Sequence, residues 1–271
     1  MLRSLWSAAT GMKAQQTNVD TISNNLSNVN TTGYKTGVAE FKSLLYQELQ
    51  TRTTSANGEP KPISAQVGLG VRNSSINTIF TQGPMLASSS DTAFAIQGQG
   101  FFGVRGADGQ DYYTRNGDFL FSRGVGGITL CTTDGLPVLD TTGKPIVLGE
   151  GIVSSKVTVT GDGNLCYPDA ANNPQPLGIQ IGLFQFNNAS GLEKKDSSLY
   201  SVTDSSGAAL NEATNPGLSK STVNQGYLEG SNVHVVDEMV NLIVAQRAYE
   251  MNSKAITASD EMMQQANQLR R

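Results

Sequence analysis

The feature that most constrains this chain is a pair of apolar stripes of helical period, one at each end of its 271 residues. After Gly230 the sequence holds neither glycine nor proline. Ala245, Ala248, Tyr249, Asn252, Ala255, Ile256, Ser259, Met262, Met263 and Ala266 recur there at i, i+3, i+4, i+7 spacing. Leu242, Tyr249, Ile256 and Met263 recur every seven residues. This predicts one long amphipathic helix over 231–269. Ser231 and Asn232 are residue types that cap a helix start, and Asp237 and Glu238 suit the positive end of its dipole. The seam carries alanine where a free coiled coil carries leucine or isoleucine, so a partner helix can approach closely.

The partner is predicted at the other end of the chain. Leu2, Leu5, Ala9, Met12, Gln16, Val19 and Leu26 fall on heptad a and d positions. Gly11 interrupts this helix at a cost of about 1 kcal/mol relative to alanine, which a long helix tolerates. A helix with an unpaired apolar stripe is marginal alone, so two stripes predict mutual packing. The first helix runs out in Asn24, Asn25, Asn28, Gly33 and Tyr34, within a stretch dense in Asn, Ser and Thr. Such side chains compete for backbone groups, and Gly33 fits a left-handed turn. One reading is a helix exit. The other is a contact surface whose amides hydrogen-bond neighbouring subunits.

Between the stripes the period becomes two. Turn dipeptides at Asp108-Gly109, Asn116-Gly117, Asp134-Gly135, Thr142-Gly143 and Asp162-Gly163 separate strand candidates at 70–80, 93–96, 101–104, 112–114, 119–121, 128–131, 145–148, 156–160 and 179–186. Short strands at this spacing predict an antiparallel all-β region. The stretch 38–47 is ambiguous between helix turn and strand. The polar stretch 48–62 contains Asn57-Gly58, a hairpin-turn signal. It reads either as a mobile loop or as a protruding hairpin that pairs with something else.

The predicted fold class is α+β. The N- and C-terminal helices pair in a discontinuous coiled-coil domain, 1–34 with 225–271. A connecting segment, 35–80, carries an extended hairpin, and an antiparallel all-β domain fills 81–224.

Composition narrows the chemistry. Charged residues make up 15% of the chain, against about 25% in typical domains. Low charge weakens repulsion between like copies and so favours assembly. The net charge of −4 offers no basic footprint for nucleic acid. A single histidine, His234, excludes a multi-histidine metal site within one chain. Cys131 and Cys166 lack metal-ligand spacing and read either as one disulfide or as two free thiols. No apolar run reaches bilayer length. The apolar start is broken by Ser7, Thr10 and Lys13, which predicts no cleavable signal peptide. Gly98-Gln99-Gly100-Phe101-Phe102-Gly103 satisfies the GxGxxG pattern. It runs on into a strand and a tight turn, not into the helix that a dinucleotide site needs. No cofactor, catalytic or metal site is predicted. The competing reading is a soluble β-domain enzyme or sugar-binding module with a pocket of clustered acids.

Three stretches resemble the bacterial flagellar rod and hook proteins. The first is Leu2-Arg3-Ser4-Leu5-Trp6 with Thr10-Gly11-Met12, Gln15-Gln16-Thr17-Asn18 and the run from Ser23 to Lys35. The second is Ile96-Gln97-Gly98-Gln99-Gly100-Phe101-Phe102 followed by Tyr113-Thr114-Arg115-Asn116-Gly117-Asp118-Phe119. The third is Gln225-Gly226-Tyr227-Leu228-Glu229-Gly230-Ser231-Asn232-Val233 with the run from Glu238 to Ile256. Length, the Arg3-Ser4-Leu5-Trp6 opening and the polar insert after Tyr46 are most similar to the distal rod branch; proximal rod and hook proteins are the alternatives.

The resemblance implies a self-assembling subunit of a hollow helical rod that crosses the periplasm and carries torque. It implies export by the flagellar type III apparatus, and no direct membrane insertion. It implies contacts with further copies, proximal rod proteins below, hook or hook-junction proteins above, and a surrounding ring bushing. The assembly seam would comprise Leu5, Met12, Val19, Leu26, Leu242, Ala245, Ala248, Tyr249, Ala255, Ile256 and Met263. A rod-stiffening insert would include Gln47, Arg52, Asn57, Gly58 and Pro62.

Overall fold

The structure, a computed structural model, describes residues 2–50, 65–124, 127–149, 152–169 and 173–268. The chain divides into two compact units. The first comprises 1–27, 37–77 and 234–271; the second comprises 28–36 and 78–233. The predicted boundaries at 34 and 225 thus fall elsewhere. The segment 37–77 belongs with the helices, while 28–36 and 225–233 belong with the strands. Side chains of the N-terminal helix hold 37–77 to the helices, strand pairing holds 225–229 to the β-rich unit, and periodicity reports neither.

The first unit contains α1 (Leu2–Ser27), β1 (Gly37–Ser43), β2 (Tyr46–Gln50), β3 (Ala65–Gly68), β4 (Val71–Thr78, to residue 77) and, later in the chain, α2 (Val235–Gln268). The helices pack along each other. Ser4 Oγ lies 3.3 Å from Ser259 Oγ, while a side chain at Gly11 would sit 2.9 Å from Asn252 Nδ2. Rising numbers on α1 meet falling numbers on α2, so the pair is antiparallel. The predicted glycine interruption is therefore a point of close approach.

α1 also packs on β1. Along one side it presents Thr10, Ala14, Thr17, Thr21 and Asn25 at spacings of three and four, so they share a face. Thr10 Oγ1 accepts the Val71 amide at 3.3 Å, and Asn73 Nδ2 donates to Thr17 Oγ1 at 2.5 Å. Asn25 closes a two-bond ring with Gly37: its Oδ1 accepts Gly37 N–H at 2.9 Å and its Nδ2 donates to Gly37 O at 2.8 Å. β1 pairs with β4 and β2 with β3, and Leu44 N–H to Gly70 O at 2.9 Å continues the ladder between them. The ambiguous stretch 38–47 is therefore strand on either side of Leu44 and Leu45, and the two strand pairs follow one another as a ribbon.

The second unit holds β5 (Met85–Ala87), β6 (Phe94–Gln97), β7 (Phe101–Arg105), β8 (Asp111–Thr114), β9 (Phe119–Gly124) and β10 (Gly127–Thr132). Then come β11 (Val147–Leu148), β12 (Thr158–Val159), β13 (Asn164–Pro168), β14 (Pro174–Gln180) and β15 (Leu183–Gln185). The last five are β16 (Glu193–Lys194), β17 (Leu199–Ser201), β18 (Leu210–Asn211), β19 (Thr222–Gln225) and β20 (Tyr227–Glu229).

A six-stranded sheet runs β16-β17-β8-β7-β15-β18, beside three-stranded sheets β11-β10-β9 and β12-β13-β14 and the pairs β19-β6 and β20-β5. Every pairing in this unit is antiparallel. Phe94, Ile96, Phe102, Phe119, Leu130 and Leu165 are buried together in the main core. A second cluster gathers Phe101, Tyr113, Leu192 and Tyr200, with Phe80, Phe184 and Phe186 packed against it.

Candidate assembly surfaces

The helix pair sorts the predicted seam residues. On α1, Ala8, Ala14 and Ile22 are buried, while Leu5, Met12, Val19 and Leu26 are half-buried. On α2, Ala245 is 1% exposed and Ser259 is also buried. Leu242, Ala248, Asn252, Ile256 and Met263 are half-buried. The spacing of 242, 245, 252, 256, 259 and 263 is that of one helix face. Tyr249 shares that face but lies exposed beside α1, and Ala255 is exposed at its margin.

One surface is absent from the sequence reading. Val236, Val240, Ile243, Val244 and Met251 of α2 are exposed, Val236 by 73% and Ile243 by 56%. These side chains lie at i, i+4, i+7, i+8 and i+15 and form an outer apolar face. The signal was the run from Met239 to Ala245, in which Asn241 alone is polar. A helix apolar on all sides is normally buried on all sides. Exposed Leu45, Tyr46 and Leu49 add apolar surface to the ribbon.

The signature turn performs two separate tasks. In the first unit, Asn25 ties the end of α1 to β1. In the second, Gly33 has φ +69°, and a Cβ there would lie 2.5 Å from the Asn116 amide nitrogen and 2.7 Å from the Arg115 carbonyl carbon. Gly33 N–H donates to Glu229 O at 2.8 Å, and Thr32 Oγ1 donates to Asn116 Oδ1 at 2.9 Å. Tyr34 carries the Lys194 ammonium over its ring at 5.0 Å.

Behind this turn lies a buried charge cluster. Lys35 Nζ is 2.6 Å from Glu229 Oε1 and donates to Thr81 O at 2.8 Å. Arg115 Nη1 is 3.3 Å from Glu229 Oε2, and its Nη2 donates to Gly98 O at 2.8 Å. The guanidinium carbon stands 4.9 Å from the Phe101 ring centre. Gly83 N–H donates to Glu229 Oε1 at 3.0 Å. Burial pushes both Lys35 and Arg115 below their ordinary values, against the pull of Glu229.

Asn232 stitches the same place. Its Oδ1 accepts Thr36 N–H at 2.8 Å and Thr36 Oγ1 at 2.7 Å, and its Nδ2 donates to Ile79 O at 2.9 Å. The predicted cap of α2 is thereby corrected: Asn232 clamps loops, and α2 begins three residues later, with His234 O accepting Glu238 N–H at 3.0 Å. Sequence periodicity could not reveal Lys35, Arg115 and Glu229 as partners, because 194 positions separate Lys35 from Glu229.

In the insert, Gln47 pairs with Val67 across β2 and β3, an antiparallel ribbon. Arg52, Asn57, Gly58 and Pro62 lie outside the described residues. Gly98 to Gly103 leads into β7, with Gly100 N–H donating to Ser221 Oγ at 3.0 Å. Cys131 and Cys166 are buried free thiols. Among the described residues there is no group of three or more His, Cys, Asp or Glu that could hold a metal ion, and no helix long and apolar enough to cross a membrane.

Paired terminal helices with an exposed apolar face, a ribbon along one helix, and a separate β-rich unit that lies between the helices in chain order define a structural building block. Family profiles agree along the chain. Residues 5–35 match the flagella basal body rod protein family, 95–167 the D1 domain of flagellar hook protein FlgE/F/G, and 224–269 the C-terminal part of the flagellar basal body rod FlgEFG proteins. The chain belongs to the flagellar basal-body rod protein family. It is 42% identical to the flagellar basal-body rod protein FlgG of Borreliella burgdorferi, with 100% of both chains covered. It is 42% identical to that of Agrobacterium fabrum over 96% of this chain and 97% of the other. Against the Bacillus subtilis protein of that name identity is 38%, again over the whole of both.

Proposed function

We propose that this chain is the subunit of a distal flagellar rod, polymerising into a rigid hollow helical shaft that transmits torque and leaves a channel for exported subunits. The observation that carries the reading is the outer apolar face of α2. Among the described residues Val236, Val240, Ile243, Val244 and Met251 are exposed. A contiguous exposed patch of this kind marks an interaction surface. Contacts between unlike surfaces of identical copies generate open helical filaments. In the shaft the two terminal helices form a coiled-coil inner tube, and the β-rich unit lies outside, towards the ring bushing. The ribbon and the insert beyond Gln47 bridge neighbouring copies and stiffen the rod. Proximal rod proteins adjoin one end and hook components the other. Export through the flagellar type III apparatus delivers the subunits to the periplasm.

Electron microscopy of the purified full-length protein tests this reading. The expected result is tubes of uniform diameter above a threshold concentration. A protein that stays monomeric at every concentration would instead favour a soluble β-domain module.

A further inference from the structure

A second feature of the helix pair points to a particular contact. Trp6 is the sole tryptophan of the chain, it lies on α1, and its side chain is 70% exposed. An indole is the largest apolar side chain available, and burying it removes about 150–250 Å² from water. The same pair of helices carries an open groove of about 410 Å³, lined by Gln16, Val19, Gln246, Tyr249 and Glu250. Val19 and the exposed Tyr249 ring supply apolar surface. Gln16 and Gln246 supply amide oxygens, which a buried indole N–H requires as an acceptor.

Trp6 cannot fill the groove of its own chain. The residues that line the groove on α1 are ten and thirteen positions further on, about 15–20 Å along the axis at 1.5 Å per residue, and on another face. Charge is complementary as well. Exposed Arg3 and Lys13 lie three and seven positions from Trp6, on its side of the helix. Glu250 rims the groove, in an exposed pair with Arg247 at 2.8 Å that a stronger partner can exchange, and exposed Asp20 follows Val19 with no basic residue beside it in sequence.

We propose that Trp6 of one copy seats in the groove between α1 and α2 of the next, with Arg3 and Lys13 facing Glu250 and Asp20. A knob and a socket on different faces of one molecule make a contact that does not close on itself, and so propagate an open polymer. The proposal rests on the rod reading and specifies one of its contacts.

Because Trp6 is the sole indole, its fluorescence reads the contact with no substitution. Polymer formation is followed by electron microscopy in the same sample. The expected result is a blue shift on polymerisation and a severalfold loss of quenching by acrylamide. A second arm mixes copies bearing Trp6→Cys with copies bearing Tyr249→Cys and adds a short bifunctional thiol reagent. Cross-linked dimers are expected from the mixture and from neither variant alone, because Cys131 and Cys166 are buried. Polymers in which Trp6 stays as quenchable as in the monomer overturn the seating and leave the rod reading standing. Polymers whose Trp6 is protected without a 6–249 cross-link overturn the assignment of this groove. Failure of the unaltered protein to polymerise overturns both.

Discussion

Glu229 holds two buried cations with one carboxylate. Its side chain and that of Lys35 are both 0% exposed, and Arg115 is 2% exposed. Breaking such a cluster from one side leaves uncompensated buried charge, which typically destabilises by about 3–5 kcal/mol. Glu229→Gln is therefore expected to lower the unfolding free energy by that order, read from denaturant titration. Tyr113 offers a pH-dependent counterpart. Burial, and then the neighbouring Asp111 charge, push its phenol up to about 12 from an ordinary 10. A raised acid keeps its proton in the folded chain while the unfolded chain releases it. Its contribution is complete below pH 10 and is lost as pH rises towards about 12. Tyr113→Phe is expected to remove that part of the alkaline decline in stability, measured by melting at stepped pH. An unchanged alkaline slope in the variant would count against the assignment.

The elements separate packing from assembly. Ala245 is closed in on α2, so Ala245→Leu forces extra volume into a packed seam and should destabilise by about 1–3 kcal/mol. Ile243, two residues earlier, faces outward. Ile243→Asp should leave the melting temperature within a few degrees of the parent protein while abolishing polymers in electron micrographs. Loss of folding in Ile243→Asp would show that this face packs within the chain. The elements also show where sequence reading reaches. Both helices and the strands near 101–104, 112–114 and 128–131 were legible, because a repeated apolar period is a local signal. β1 and β2 were not, since their partners β4 and β3 lie across the insert and their outward residues are polar and apolar alike. The α1 face built from Thr10, Thr17, Thr21 and Asn25 was equally silent, being polar in a helix read for its apolar stripe.

At the scale of the molecule, the ribbon of β1 to β4 belongs with the helical unit. Deleting 47–62 should leave the remaining chain folded, by circular dichroism and a cooperative melt, because the main cores lie elsewhere. Polymers of the deletion variant should bend more than those of the full chain, read as a shorter persistence length in electron micrographs. Equal persistence lengths would remove the insert from the account of stiffness.

The sequence by itself determined the α+β order of elements, the two amphipathic helices and the family. Each of these is written in local period or in contiguous motif. The tertiary structure alone decided which residues those motifs serve. Asn232 reads as a helix cap and acts as a clamp, because its partners Thr36 and Ile79 are 196 and 153 positions away. Lys35 and Glu229 become a buried pair only when the chain folds back on itself. The heptad line of α2 reads as one seam, yet Ala245 and Ser259 are buried on it while Tyr249, on the same face, and Ala255, at its margin, stay exposed. A heptad names several candidate faces, and contact with α1 selects one of them.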